Sequence, residues 1–171
     1  SRDGYSVHPI IISTERKQAL NDHLMLFFTG FSRFSADIQE STKTVLKDKT
    51  KQLLEMKSLV DDAERILTDK SISIDDFGKL LDYTWRLKKD ISTAISTNSI
   101  DEQYNKAIKA GALGGKLLGA GGGGFLLFYV PLDKQIAVRE ALSGQLYVPF
   151  RFENEGTKVI FYQSEQYDKS F

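Results

Sequence analysis

Eight of the chain's 13 glycines fall between Gly111 and Gly124, in GALGGKLLGAGGGG, and the apolar run FLLFYV from Phe125 to Val130 follows without a break. Glycine costs conformational entropy to order, so a cluster set against a strongly structured segment needs a local purpose. A backbone without side chains can approach a phosphate closely, and positive φ turns successive N–H groups toward one anion. Gly119, Ala120, Gly121, Gly122, Gly123 and Gly124 are therefore read as an ordered, phosphate-facing loop. A lysine next to such a loop, here Lys116, is often simply solvated. A flexible linker would be flanked by loose polar sequence. Here a capped helix and an apolar strand hem the cluster in, and it holds Leu113, Leu117 and Leu118.

Two common phosphate motifs fail on order or spacing. Gly119, Gly121 and Gly124 satisfy GxGxxG, but the dinucleotide fingerprint runs from strand through loop to helix, whereas here the helix comes first and the strand last. A Walker loop needs a glycine, four intervening residues, then Gly-Lys and a hydroxyl. Ala110 stands before Gly115 and Lys116, and Leu117 follows.

A second set of candidate ligand contacts is Thr29, Gly30, Ser32 and Arg33, at the end of an apolar strand. The planar fork of Arg33 suits a substrate phosphate, while Ser32 or Ser35 serves equally as a helix cap. Trp85 and Lys88 lie three residues apart on one helical side, between the apolar stripe and its polar flank. A tryptophan in that place reads as an anchor of the helix to the sheet. His8 and His23 stand apart from any metal-ligand spacing, so neither is read as a metal ligand. The pairs Asp61 with Asp62 and Asp75 with Asp76 sit where carboxylates solvate or complement a helix dipole. The lysines from Lys43 to Lys57 alternate with acids and amides, the pattern of a solvated helix face.

The elements that must position these residues follow from periodicity. Val7 to Ile12 and Leu24 to Thr29 read as strands. From Ser35 to Asp69 apolar residues at Leu53, Met56, Val60, Ala63 and Leu67 mark one stripe of a helix, continuous or broken near Lys57. Ser73 with Asp76 reads as a cap for a helix that buries Phe77, Leu80, Leu81, Thr84, Leu87, Ile91 and Ile95. Ser99 with Glu102 reads as a capping box for a short helix ending at Gly111. Beyond the glycines come a strand from Phe125 to Val130, a helix from Asp133 to Leu142, and strands over Leu146 to Phe152 and Lys158 to Gln163, turned by Asn154 to Thr157. This order predicts an α+β fold, a mostly antiparallel sheet of about four strands with helices packed on one face.

The 171 residues suit one domain, or half of a larger enzyme. The 23 basic and 23 acidic residues cancel, so no global field draws the chain to nucleic acid or to anionic lipid. No run approaches the roughly 20 apolar residues of a membrane span, and the absence of cysteine fits a reducing compartment. Cytoplasm is the plain expectation. Ser1 is not a methionine, and SRDGYSVHPIII has no signal-peptide layout, so the chain is read as the later part of a longer polypeptide.

AGALGGKLLGAGGGG resembles the third conserved motif of the GHMP small-molecule kinases. Gly114, Lys116, Gly119, Ala120, Gly121, Gly123 and Gly124 fall on the pattern; Gly115 stands where alanine is frequent and Leu118 where a small or hydroxyl residue is common. FFTGFSR from Phe27 to Arg33 and TWRLKKDIS from Thr84 to Ser92 look most similar to the D-glycero-D-manno-heptose phosphate kinases of that group. The resemblance implies the ferredoxin-like C-terminal domain of a two-domain enzyme. The partner would be an N-terminal domain of the same polypeptide, which would carry the catalytic aspartate and most ligands for ATP and Mg2+; no PxxxGLxSS-like loop occurs here. It further implies γ-phosphoryl transfer from ATP to the anomeric hydroxyl of a heptose phosphate, with this chain alone inactive. The alternatives are another GHMP kinase, of galactokinase, fucokinase or mevalonate kinase type, or a non-catalytic ligand-binding module. The resemblance implies a point positive charge from Lys116 beside the loop and makes Trp85 and Lys88 candidates on the substrate cleft, although where relatives carry an Asn-His pair lining that cleft this chain has Thr84 and Trp85.

Overall fold

A computed structural model describes residues 8–30, 46–119, 122–157 and 159. Its centre is a four-stranded antiparallel sheet in the order β2-β3-β1-β4. The strands are β1 (Leu24–Phe28), β2 (Gly114–Leu118), β3 (Phe125–Tyr129) and β4 (Leu146–Tyr147). The helices are α1 (Thr14–His23), α2 (Thr50–Thr68), α3 (Asp75–Ile91), α4 (Asn98–Lys109) and α5 (Gln135–Ala141). The α+β class with an antiparallel sheet is as the sequence predicts.

Alternation along the strands sorts their side chains onto two faces. Met25, Phe27, Leu117, Leu126 and Phe128 enter the main core, together with Ile100, Tyr104 and Ala107 of α4 and Val138 of α5. On the opposite face Leu24 and Tyr129 join Leu20 of α1 in a smaller cluster, which Phe77 and Leu81 of α3 and Leu67 of α2 complete.

The placement of α3 controls the candidate site. Gly78 of α3 and Gly114 of β2 bring two backbones together where neither has a side chain. A Cβ on Gly114 would collide with the Gly78 carbonyl oxygen and lie 2.7 Å from the Asp82 nitrogen; one on Gly78 would lie 2.6 Å from the Tyr129 ring. Asp75 and Asp82, two helical turns apart, extend this contact. The Tyr129 hydroxyl donates to Asp75 Oδ1 at 2.8 Å, and the Tyr104 hydroxyl donates to Asp82 Oδ1 at 2.7 Å. Trp85, 1% exposed, completes the buried side of the helix against Tyr104.

Several expected elements differ. Residues 8–13 form no strand, and Ile10 and Ile11 are exposed; Ser13 instead caps α1 by accepting from the Arg16 N–H. Apolar content suggested a strand there, but the sheet gives it no partner. The long helix is unbroken at Lys57, and its expected stripe is rotated: Val60 is exposed while Ile66 is buried. The part of that helix before residue 46 lies outside the described residues. Ser73 does cap α3, accepting from the Asp75 N–H at 3.2 Å, but Thr97 rather than Ser99 caps α4, accepting from Ile100. The glycine-rich stretch is not all loop, since Gly114–Leu118 is strand β2. The helix after β3 opens as a 3-10 turn, Leu132–Lys134. The expected strand from Leu146 to Phe152 stops after Tyr147, because Pro149 cannot extend a ladder of N–H donors. Residues 154–157 are bends without a hairpin ladder, and of the strand expected over Lys158 to Gln163 only residue 159 is described, without strand structure.

Two predictions test this packing. Gly114→Ala is expected to destabilise the fold by about 1–3 kcal/mol, the range for overpacking, read as a lower denaturant midpoint; an unchanged midpoint would contradict the close approach. Burial first, and hydrogen bonding to a carboxylate second, hold the Tyr104 and Tyr129 hydroxyls well above the ordinary tyrosine range. A raised folded-state value stabilises below the unfolded value and loses that stability as pH rises past it, about pH 10. Alkaline titration should therefore show both ionising only as helical circular dichroism collapses. Ionisation of all seven tyrosines with the dichroism intact would refute it.

Candidate functional site: the glycine loop between β2 and β3

The loop leaves β2 at Leu118 and enters β3 at Phe125, residues that pair across the ladder. Both ends are gripped by other elements. At the far end Thr29, just past β1, accepts the Gly124 N–H on Oγ1 at 3.0 Å and donates its own hydroxyl to the Gly124 carbonyl at 3.0 Å. Its backbone N–H reaches the same carbonyl at 2.9 Å. Thr29 is 2% exposed, and its carbonyl accepts from Gln103 Nε2 of α4 at 3.3 Å. At the near end Lys88 Nζ of α3 donates to the Gly119 carbonyl at 3.0 Å. In between, the Gly122 N–H donates to the Ile95 carbonyl at 3.0 Å.

This frame explains the glycines. Gly119, Gly122 and Gly124 have φ of +89°, +71° and +112°, values that side-chain-bearing residues rarely adopt. The Gly122 and Gly124 N–H groups are spent within the protein, so a ligand draws on other donors of the site. Lysine supplies them. Lys116, half-buried on β2, lies close enough to Lys88 that its charge, after burial, holds the Lys88 ammonium below the usual lysine range. Neither has a carboxylate partner among the described residues. The adjacent Lys89 turns the other way, pairs with Asp101 at 3.0 Å and lies 5.8 Å from the Trp85 ring centroid. Gln103 of α4 and the Ile95 carbonyl, three residues before that helix, tie the loop to the core through Thr29 and Gly122.

The residues expected from sequence fall into three groups. Gly119, Gly122, Gly123 and Gly124 lie between β2 and β3, Lys88 of α3 is bonded to Gly119, and Lys116 stands on β2 two residues before the strand ends. Gly30 is exposed at the end of β1 with φ +90°. Thr29 and Trp85 face inward: Thr29 grips the loop, and the Trp85 ring sits in the core, so neither presents its side chain to a cleft. Ser32, Arg33, Ala120 and Gly121 lie outside the described residues. The role of Gln103 was not legible beforehand, since a buried glutamine leaves no periodic signal. Among the described residues no group of three or more His, Cys, Asp or Glu side chains could hold a metal ion.

Thr29→Val keeps the shape and removes both hydroxyl bonds, at about 1 kcal/mol each. Amide hydrogen exchange at Gly124 should accelerate in this variant, and Thr29→Ser should restore it. Equal exchange in all three proteins would remove Thr29 from the loop's support.

Comparison with known proteins places this geometry in a family. Residues 61–148, just over half of the chain, match the model described as GHMP kinases C terminal. The chain is 36% identical over 157 residues to the D-glycero-alpha-D-manno-heptose 7-phosphate kinase of Campylobacter jejuni, an alignment that takes in 89% of this chain and 45% of that protein. It therefore spans a little under half the length of this curated relative. The crystal structure of the Methanococcus jannaschii mevalonate kinase superposes with a TM-score of 0.67 at 23% identity, over 84% of this chain and 44% of that one. A D-glycero-D-manno-heptose 1-phosphate kinase from Bacteroides thetaiotaomicron superposes with a TM-score of 0.56 at 22% identity, over 86% and 38%. With a matching family model, a heptose phosphate kinase relative and a shared fold, the chain belongs to the GHMP kinase family, in its C-terminal region.

Proposed function

We propose that this chain is the C-terminal domain of an ATP-dependent sugar kinase, which transfers a γ-phosphoryl group to the anomeric hydroxyl of a heptose phosphate. The observation that carries the reading is a glycine loop gripped at both ends, with two lysines, Lys88 and Lys116, that have no carboxylate partner among the described residues. The 36% identity to a heptose 7-phosphate kinase supports the substrate class. An N-terminal domain of the same polypeptide is the proposed partner, and the cytoplasm the proposed location. No helix among the described residues is long and apolar enough to cross a membrane.

The donor set fits the phosphates of ATP. Positive-φ backbone and two ammonium groups suit an anion, and among the described residues no carboxylate pairs with either lysine. Phosphoryl transfer needs positioning and charge stabilisation more than covalent chemistry from the protein. ATP supplies the phosphoryl group, and Mg2+ supplies charge neutralisation from ligands assigned to the N-terminal domain. Lys116 offsets phosphate charge, Lys88 fixes Gly119, and Thr29 fixes Gly124. Gly30, Ser32 and Arg33 stand as candidates on the substrate side.

The test supplies the complete gene product with ATP, Mg2+ and separate acceptors: heptose 7-phosphate, galactose, fucose and mevalonate. The expected outcome is ADP release with a new anomeric phosphate on the heptose, seen by phosphorus NMR, and no turnover by the 171-residue chain alone. Gly119→Val forces a side chain into φ +89° and should lower kcat by up to about 100-fold, the cost of a small misplacement near the reacting group. Phosphorylation of a different acceptor would reassign the substrate, and unchanged kcat in the variant would take the loop away from the chemistry.

A further inference from the structure

Asn21, Thr29 and Gln103 carry amide or hydroxyl groups into the buried interior, where each such group needs a partner. Asn21 finds one in the Phe152 N–H at 2.8 Å. The other two meet: Gln103 Nε2 donates to the Thr29 carbonyl at 3.3 Å and lies 3.5 Å from Ser99 Oγ, one turn back on α4. A carbonyl can only accept, so Thr29 decides which way the Gln103 amide turns. The same turn leaves Gln103 Oε1 buried with no protein partner. Leucine or methionine would fill this place on α4 without burying an acceptor, so packing does not account for a glutamine here. Its donor to Thr29 does.

The Thr29 carbonyl belongs to the planar peptide that joins it to Gly30, and holding that oxygen fixes the direction in which the chain leaves β1. The N–H and hydroxyl of Thr29 are bonded to Gly124. One threonine therefore joins the end of the glycine loop to Gly30, and one glutamine holds the threonine. We infer that Gln103 is a positioning residue for phosphoryl transfer, keeping Gly124 and Gly30 in fixed relation through Thr29. This rests on the sugar-kinase reading, in which the loop stands on the nucleotide side and Gly30 on the substrate side. Rate then depends on the relative placement of the two sides more than on the binding of either. Gln103, being buried, acts only through Thr29.

Gln103→Met keeps the volume and removes the donor together with the unpartnered acceptor. In the 171-residue chain, amide exchange at Gly124 should quicken about tenfold while the amides of the β1 and β3 ladder keep their parent rates. The denaturant midpoint should stay level, because one orphaned acceptor replaces another. In the complete gene product kcat should fall about tenfold, with KM for ATP and for heptose 7-phosphate changed by less than about twofold. Gln103→Leu should repeat this pattern, which separates the lost amide from a poor fit of methionine. Ser99→Ala, which spares the donor to Thr29, should leave every reading at its parent value. A collapsed midpoint with faster exchange throughout the sheet would make Gln103 a structural tie and overturn the positioning role. Faster exchange at Gly124 with kcat unmoved would overturn it as well, and so would unchanged exchange at Gly124. Any of these in a protein that still phosphorylates the heptose leaves the kinase reading intact. Local loosening at Gly124 in a gene product that phosphorylates no sugar would instead end the kinase reading, and the rate effect with it, while the tie from Gln103 to Gly124 stands.

Discussion

The contact between Gly78 and Gly114 is the constraint on which the rest of this structure depends. With hydrogen atoms in place of side chains on both, α3 lies directly on β2, and every later residue on that face of the helix acquires a fixed neighbour. Asp75, Asp82 and Trp85 complete the docking through Tyr129, Tyr104 and the core. One turn further on, the same register brings Lys88 to the carbonyl of Gly119. A helix held a few ångströms farther out would not bring Lys88 within hydrogen-bond reach of the loop.

Loop order is thus inherited from the sheet and its helices. The strands on either side supply the span, β1 supplies Thr29, and α4 supplies Gln103 to hold Thr29 in turn. The outcome is a loop whose glycines are spent partly on conformation and partly on internal hydrogen bonds. Its positive character comes from Lys88 and Lys116 as well as from bare amides. Bare amides alone would make a generic anion nest; here the charges sit on elements that the core fixes.

Much of this was legible in the residues. The β1 and β3 runs are dense in aromatic and branched side chains, and the α3 stripe repeats at three and four, so both declared themselves by period. Strand β2 did not. GGKLL has too little β-propensity to be told from the glycines around it, and it becomes a strand because β3 and α3 flank it. Helix α1 was hidden for the opposite reason: TERKQALNDH is polar nearly all round, and the exposed Ile10 and Ile11 before it drew the expectation of a strand. At the site, composition pointed to the loop and to Lys88 and Lys116. The inward turn of Thr29 and Trp85 depends on tertiary contacts that no local pattern encodes.

The brevity of β4 has its own effect on how the molecule keeps to itself. Sheets grow when a bare outer strand offers a long row of unpaired amides and carbonyls to a neighbouring chain. On that side, among the described residues, the row is only Leu146 and Tyr147 before Pro149 interrupts it, and the Val148 N–H is already turned inward to Leu26 at 2.8 Å. A foreign strand therefore meets two rungs and then a residue without a donor. A single proline thereby guards this border against cross-β propagation while the aromatic-rich strands behind it stay paired.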